Sequence, residues 1–208
     1  MALDHEYALL GGYNRTHLGR WLFMAAAGLS ALLVFVLLSA VDLADRLGLP
    51  VNLPPSALSL LGAGTLYLAL YFLFDRYFWK VGFVAKAMKL PDLSGVWRCE
   101  GLSRDKSPPV PWFGRVTITQ SWDRVRVHLI NGTSESNSVA AALQADPVGG
   151  HRLMYHYKNQ PRQNNTGLQA HHGFADLAFA DDGLSARGEY FNGRGRNTFG
   201  DMTLTKET

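Results

Sequence analysis

Two apolar runs stand back to back near the start of the chain. Trp21–Val41 is 21 residues without Asp, Glu, Lys, Arg or His, and Ser56–Phe74 is another 19. At ~1.5 Å of rise per residue, either run as a helix spans about 30 Å, the thickness of a bilayer's hydrocarbon core. Between them lies Asp42–Pro55, a 14-residue connection ending in Pro54-Pro55. The pattern predicts two transmembrane α-helices forming a hairpin. Tyr67, Tyr71, Tyr77, Phe78 and Trp79 crowd the end of the second run, and amphipathic aromatics settle at headgroup level. Asp75–Lys89 is expected to continue helically as a stalk that Pro91 ends. Met1–Gly19 is polar with no clear period and reads as a lead-in.

From Asp92 the period changes from helix to strand. The alternation predicts eight strands: Ser94–Glu100, Phe113–Trp122, Arg124–Asn131, Ser134–Ala145, His151–Gln160, His171–Ala180, Leu184–Phe191 and Thr198–Lys206. Short turns such as Asn131-Gly132 and Asp181-Asp182-Gly183 join most of them, which favours a meander of antiparallel neighbours. Eight such strands in 117 residues is the size of a small up-and-down β-barrel of lipocalin-like form. A two-sheet sandwich is the competing architecture. Alternation assigns one inward face: Trp97 and Cys99; Val125, Val127 and Leu129; Leu153, Tyr155, Tyr157 and Asn159; His171 to Phe179 at odd numbers; Leu184, Ala186, Gly188 and Tyr190; Gly200, Met202 and Leu204. That face is apolar at one end and polar at the other, which suits a ligand mouth. The chain thus divides into an N-terminal segment (1–19), a hairpin with its stalk (20–90) and an all-β domain (91–208).

Charge adds orientation. Arg15 and Arg20 precede the first run, Arg46 stands with Asp42 and Asp45 between the runs, and Arg76, Lys80, Lys86 and Lys89 follow the second. The excess of cations outside the connecting loop predicts that both termini are cytoplasmic. Formal net charge is +3, and residues 92–208 hold 13 Lys and Arg against 12 Asp and Glu, so nothing points to a DNA or RNA duplex. The first run is too long for a secretory signal core, so it is expected to stay in the mature protein. Cys99 is the one cysteine and reads as a small buried apolar residue. Small residues four apart, Ala26 with Ser30 and Ala27 with Ala31, and Gly62 in the second run, allow close helix approach. They serve either packing within one hairpin or association between protomers.

No catalytic set stands out, and no cofactor motif or metal-ligand spacing is present. His171 and His172 are neighbours in a strand and point to opposite faces, so they do not share a metal. Candidates for ligand binding cluster at the polar end. His171 offers a hydrogen bond. Ser134, Ser136 and Ser138 form a hydroxyl row that suits phosphate or ribose, or else a solvated strand face. Tyr157, Tyr190 and Arg194, the last between Gly193 and Gly195, can together stack on bases and hold phosphates, with Asn159 as a polar residue at the same mouth; the competing reading of Gly193–Arg196 is a plain hairpin turn with solvated arginines. Asn159–Gly167 reads as a lip over the mouth. Trp97 resembles the tryptophan that plugs the closed end of lipocalin-type barrels.

The order of these features resembles the two-transmembrane, β-strand-rich membrane effectors of bacterial CBASS antiphage systems. Two helices come first, then Pro91-Asp92-Leu93-Ser94-Gly95-Val96-Trp97, the serine row, Tyr157-Lys158-Asn159-Gln160-Pro161, His171-His172-Gly173, and Leu184 through Gly188-Glu189-Tyr190 to Gly200. The resemblance implies a non-enzymatic protein of the inner membrane whose cytoplasmic barrel binds a cyclic dinucleotide made by a partner CD-NTase. Binding would then drive self-association in the lipid bilayer, membrane disruption and cell death. A membrane-anchored, lipocalin-like carrier of an apolar ligand is the alternative, and a membrane-anchored enzyme ranks behind it.

Overall fold

The computed structural model describes residues 4–49, 51–52, 54–146, 150–162, 169–193 and 196–207. The chain forms two compact units, one from residues 13–79 and one from residues 1–12 with 80–208.

The first unit is helical. α1 runs Arg15–Arg46, five to six residues beyond the apolar run at either end. Asn14 caps it, its side chain accepting from the Thr16 amide at 2.8 Å. α1 is long and apolar enough to cross a membrane, and only 6% of its most apolar window is buried, unlike a soluble core helix. The second run is not the continuous helix that its composition predicts. It breaks into α2 (Pro55–Leu60) and α3 (Ala63–Arg76) at Leu61-Gly62, where Gly62 adopts an extended cap conformation. The 14-residue α3 covers only ~21 Å as a helix. The break strands carbonyls in an apolar setting, and Ser30 Oγ donates to Leu61 O at 2.5 Å. Ala26 is fully buried within the unit, Ala27 and Gly62 are half-buried, and Ala31 is exposed. The outward face carries Phe35, Leu68 and Phe72, each more than 60% exposed, as a lipid-facing surface would.

The expected stalk is also interrupted. A short 3-10 turn (Phe78–Lys80) is followed by α4 (Gly82–Met88), with Gly82, a poor helix former, at the restart. α4 stops before Pro91 through a left-handed cap at Lys89, φ 53°.

Among the described residues the second unit is a closed barrel of nine strands, not eight. They are β1 (His5–Leu10), β2 (Gly95–Ser103), β3 (Val110–Gln120), β4 (Arg124–Asn131), β5 (Ser134–Asp146), β6 (Gly150–Pro161), β7 (His171–Phe179), β8 (Ser185–Gly193) and β9 (Phe199–Lys206). β2 to β9 follow one another antiparallel, and β9 returns to β2. The seam is between β4 and β5, which pair only from His128 to Ile130. Beyond the register shift at Ser138/Ala140 the two strands part. β1 fills the gap, antiparallel to β4 at His5 and Glu6 and parallel to β5 from Tyr7 to Leu10. The segment read as a polar lead-in is therefore a barrel stave. Its Tyr7 is 3% exposed and its hydroxyl donates to Ser121 O at 3.3 Å.

The inward face matches the alternation except at Leu184, which lies outside β8 and is half-exposed. Trp97 closes one end, fully buried, its Nε1 donating to Leu93 O at 3.2 Å and its ring edge-on to Phe179. Cys99, Val116, Ile118, Leu153, Leu177 and Leu204 are fully buried with it. Burial pushes the Cys99 thiol up to about 12, which leaves it unreactive.

Candidate ligand-binding site

The opposite end of the barrel is open and holds a cavity of about 850 Å³, counting the space open to solvent. Strand register builds its wall in rows. Ser136, Asn159 and His171 are lateral neighbours on β5, β6 and β7, and Tyr157, Gly173 and Asn192 on β6, β7 and β8. Ser103, Gly200 and Tyr190 continue the ring on β2, β9 and β8.

Two aromatic shelves depend on glycines opposite them. Gly173 faces Tyr157 and Gly101 faces Trp112, and a Cβ at either glycine would overlap the ring. Tyr157 donates to Asn192 Oδ1 at 2.8 Å, and Asn192 Nδ2 donates to Thr198 Oγ1 at 2.6 Å. Trp112 Nε1 donates to the Tyr190 hydroxyl at 3.0 Å, which shares a 2.7 Å hydrogen bond with Ser103 Oγ. Asn159 Nδ2 donates to Ser134 Oγ at 3.0 Å and Ser136 Oγ at 2.8 Å. These groups are held by one another, so the wall is set before a ligand arrives.

The electrostatics are simple. Arg196 is the only cation among the described lining residues. Burial, reinforced by the Arg196 charge, lowers the pKa of His171 below the ordinary imidazole value. The neutral ring donates from Nδ1 to Gln169 O at 3.1 Å, leaving Nε2 as an acceptor. Burial pushes the Tyr157 phenol upward, so it stays a neutral donor. With Arg196 and no carboxylate among the described lining residues, the cavity favours an anion.

Of the residues singled out in the sequence, Ser136, Tyr157, Asn159, His171 and Tyr190 line this cavity together, with Ser134. Ser138 does not. It sits at the β5 bulge, where its Oγ accepts from the Val127 amide at 2.9 Å and bonds His5 Nε2 at 2.7 Å. The hydroxyl row is interrupted because β1 takes its last member. Arg194 and most of the Asn159–Gly167 lip fall outside the described residues. Arg196, two positions on, supplies the guanidinium. Trp112 lies one residue before the strand expected from Phe113. Its parity with the buried Val116 and Ile118 is the signal that places it inward.

A helical unit with a lipid-facing surface, joined to a barrel whose open end is an aromatic and polar cavity lined by Arg196, is a membrane-associated receptor for a small polar molecule. Residues 88–206 match the family described as "Cap15, cyclic dinucleotide receptor domain", and residues 16–80 match "Cap15, TM helices". The chain belongs to the Cap15 family, a CBASS-associated receptor family of antiviral defence. It is 38% identical over 203 residues to CD-NTase-associated protein 15 of Yersinia aleksiciae, covering 98% of this chain and 97% of that protein.

Proposed function

We propose that this chain is the membrane effector of a CBASS system, and that a cyclic dinucleotide made by a partner CD-NTase binds in the mouth of the barrel. The cavity carries the reading: Tyr157, Tyr190 and Trp112 offer stacking faces for bases. Arg196 offers a fork of donors for a phosphate, and Asn159, His171 and the serines suit base edges and ribose. The helical unit is inserted in the inner membrane as a two-span hairpin. Two features support this topology. β1 precedes α1 and β2 follows α4, yet both are staves of one barrel, so the intervening residues return to the side they left. The cation bias makes that side the cytoplasm.

Ligand binding shifts a monomer–multimer equilibrium, and the gathered hairpins, with exposed small residues such as Ala31 at the contacts, disrupt the bilayer and kill the cell. A ligand shifts such an equilibrium only through different affinities for the two states. The test is calorimetry of the full chain in detergent against a panel of cyclic dinucleotides, followed by light scattering with and without the one that binds. Binding with a rise in mass supports the effector reading. Binding at constant mass removes the switch and leaves a receptor. No binding, with lipid extractable from the barrel, moves the apolar-carrier reading to the front.

A further inference from the structure

The end of the barrel away from the ligand cavity has a second cleft. It is about 820 Å³ including space open to solvent, and is lined by α4 and the segment after it on one side and by the β5–β6 end on the other. His151 lies here and Asn159 lies at the mouth, so eight residues of β6, ~26 Å, separate the two sites. Lys86 and Lys89 both line the cleft, and neither has an ion-pair partner among the described residues. His151 faces them across the cleft, with Nδ1 buried and unbonded among the described residues.

Three observations concern what fits there. First, the lysines are held in place rather than trailing. Leu90 is 2% exposed, Leu93 N donates to Gln120 Oε1 at 2.8 Å, and Gln120 Nε2 donates to Pro91 O at 3.2 Å. Lys89 holds a left-handed backbone, φ 53°, that non-glycine residues seldom adopt. Second, both chain connections to the helical unit leave the barrel at this end. β1 ends at Leu10, paired to Gln144, and Gly11 lies against Ala145 O, itself at the cleft. Third, α4 carries bare apolar side chains: Phe83 is 78% exposed and Val81, just before it, is 41% exposed. Lysines beside exposed apolar groups on a short helix are the pattern of a segment lying at a bilayer surface.

We propose that Lys86, Lys89 and His151 form a binding site for the phosphodiester of an anionic phospholipid headgroup. The ammonium groups meet the charge and the imidazole N–H donates to a phosphate oxygen. The Asp181 carboxylate favours the protonated ring and burial opposes it, and a bound phosphate acts with Asp181. Lipid is favoured over a free phosphate because the neighbouring Phe83 and Val81 have acyl chains to enter. The proposal rests on the membrane reading, and it would tie the orientation of the barrel to the lipid beneath it.

The test uses full-length protein in a non-ionic detergent, titrated with phosphatidylglycerol, phosphatidylcholine or inorganic phosphate and read by native mass spectrometry. Phosphatidylglycerol should be retained, and K86Q/K89Q should weaken its retention by about tenfold or more. H151Q should weaken it less, and K106Q, on an exposed loop, should leave it unchanged. Equal retention of phosphatidylcholine, or no change in the double variant, overturns the headgroup site. Displacement of the lipid by equimolar inorganic phosphate overturns the lipid assignment in favour of a soluble anion. Nanodiscs of equal phosphatidylglycerol and phosphatidylcholine separate the failures: a chain that inserts and retains both lipids equally refutes only the site, whereas one recovered lipid-free refutes the membrane reading.

Discussion

The ring of Tyr157 lies over Gly173, its partner across the β6–β7 ladder, with no room between them for a methyl group. The glycine sets the height of the shelf, and Asn192 fixes its tilt through the tyrosine hydroxyl at 2.8 Å. Two variants separate these roles. Gly173→Ala should push the ring into the cavity and cost ~1–3 kcal/mol of stability, as overpacking does. Tyr157→Ala should also lower stability, because the ring is buried, but it should keep the strand pairing and remove a stacking face worth ~1–3 kcal/mol, about 5- to 150-fold in affinity. Thermal melts and calorimetry with the cognate cyclic dinucleotide report the two effects. A Gly173→Ala protein with unchanged melting and affinity would contradict the shelf.

Arg196 is the lining cation, so its loss should be felt as charge. Arg196→Gln should weaken a cyclic dinucleotide by about tenfold or more and flatten the salt dependence of binding. Arg196→Lys should restore the salt dependence but not the full affinity, because an ammonium lacks the planar fork. Titrations at low and high salt for the three proteins decide this. Equal salt slopes in the native chain and Arg196→Gln would mean that the phosphates lie elsewhere.

Much of this architecture is written locally. Period-two alternation marked the inward face of β2, β4, β6, β7 and β9, since one face of each is buried. Three of the seven proposed ligand residues, Tyr157, Asn159 and His171, lie on that face, and Ser136 of β5 and Tyr190 of β8 join them in the cavity wall. Three things were not local. β1 is only six residues long, and its place is decided by the gap that the β5 bulge opens more than 130 residues away. Ser138 looked equivalent to Ser136 because sequence cannot show that His5 arrives to occupy it. The break at Gly62 hides in an unbroken apolar run, because hydropathy reports the solvent and not the backbone.

The ninth stave has a direct consequence for any excised barrel. A fragment beginning at Asp92 lacks β1, which leaves the lower halves of β4 and β5 unpaired and uncovers Val127 N–Ser138. Such a fragment should aggregate or melt well below the same fragment carrying residues 1–12 as a fused strand. In the full chain, Tyr7→Ala should cost ~3–5 kcal/mol, the ordinary loss for truncating a buried aromatic. Denaturant unfolding followed by tryptophan emission measures both. A stable, monomeric fragment without residues 1–12 would show the seam closing on its own.

His171 links the cavity to pH. Burial and the Arg196 charge hold its folded pKa below the ordinary value, so above about pH 6.5 both the folded and unfolded forms carry a neutral ring. As pH falls through that value the unfolded chain takes up a proton first, and stability declines until the folded pKa is passed. His151, lowered chiefly by burial, adds in the same sense. His171→Gln should therefore lose part of the acid-induced drop in melting temperature, and His151→Gln another part. A ligand phosphate beside His171 reverses the local field. It offsets the Arg196 charge and favours the imidazolium, so binding near pH 6 should draw in a fraction of a proton. Calorimetry in buffers of different ionisation enthalpy reads this uptake directly. An enthalpy that varies with the buffer in the native chain, but not in His171→Gln, puts a phosphate at this ring. An enthalpy independent of buffer in both means that His171 meets a base or a ribose, and that Arg196 alone receives the charge.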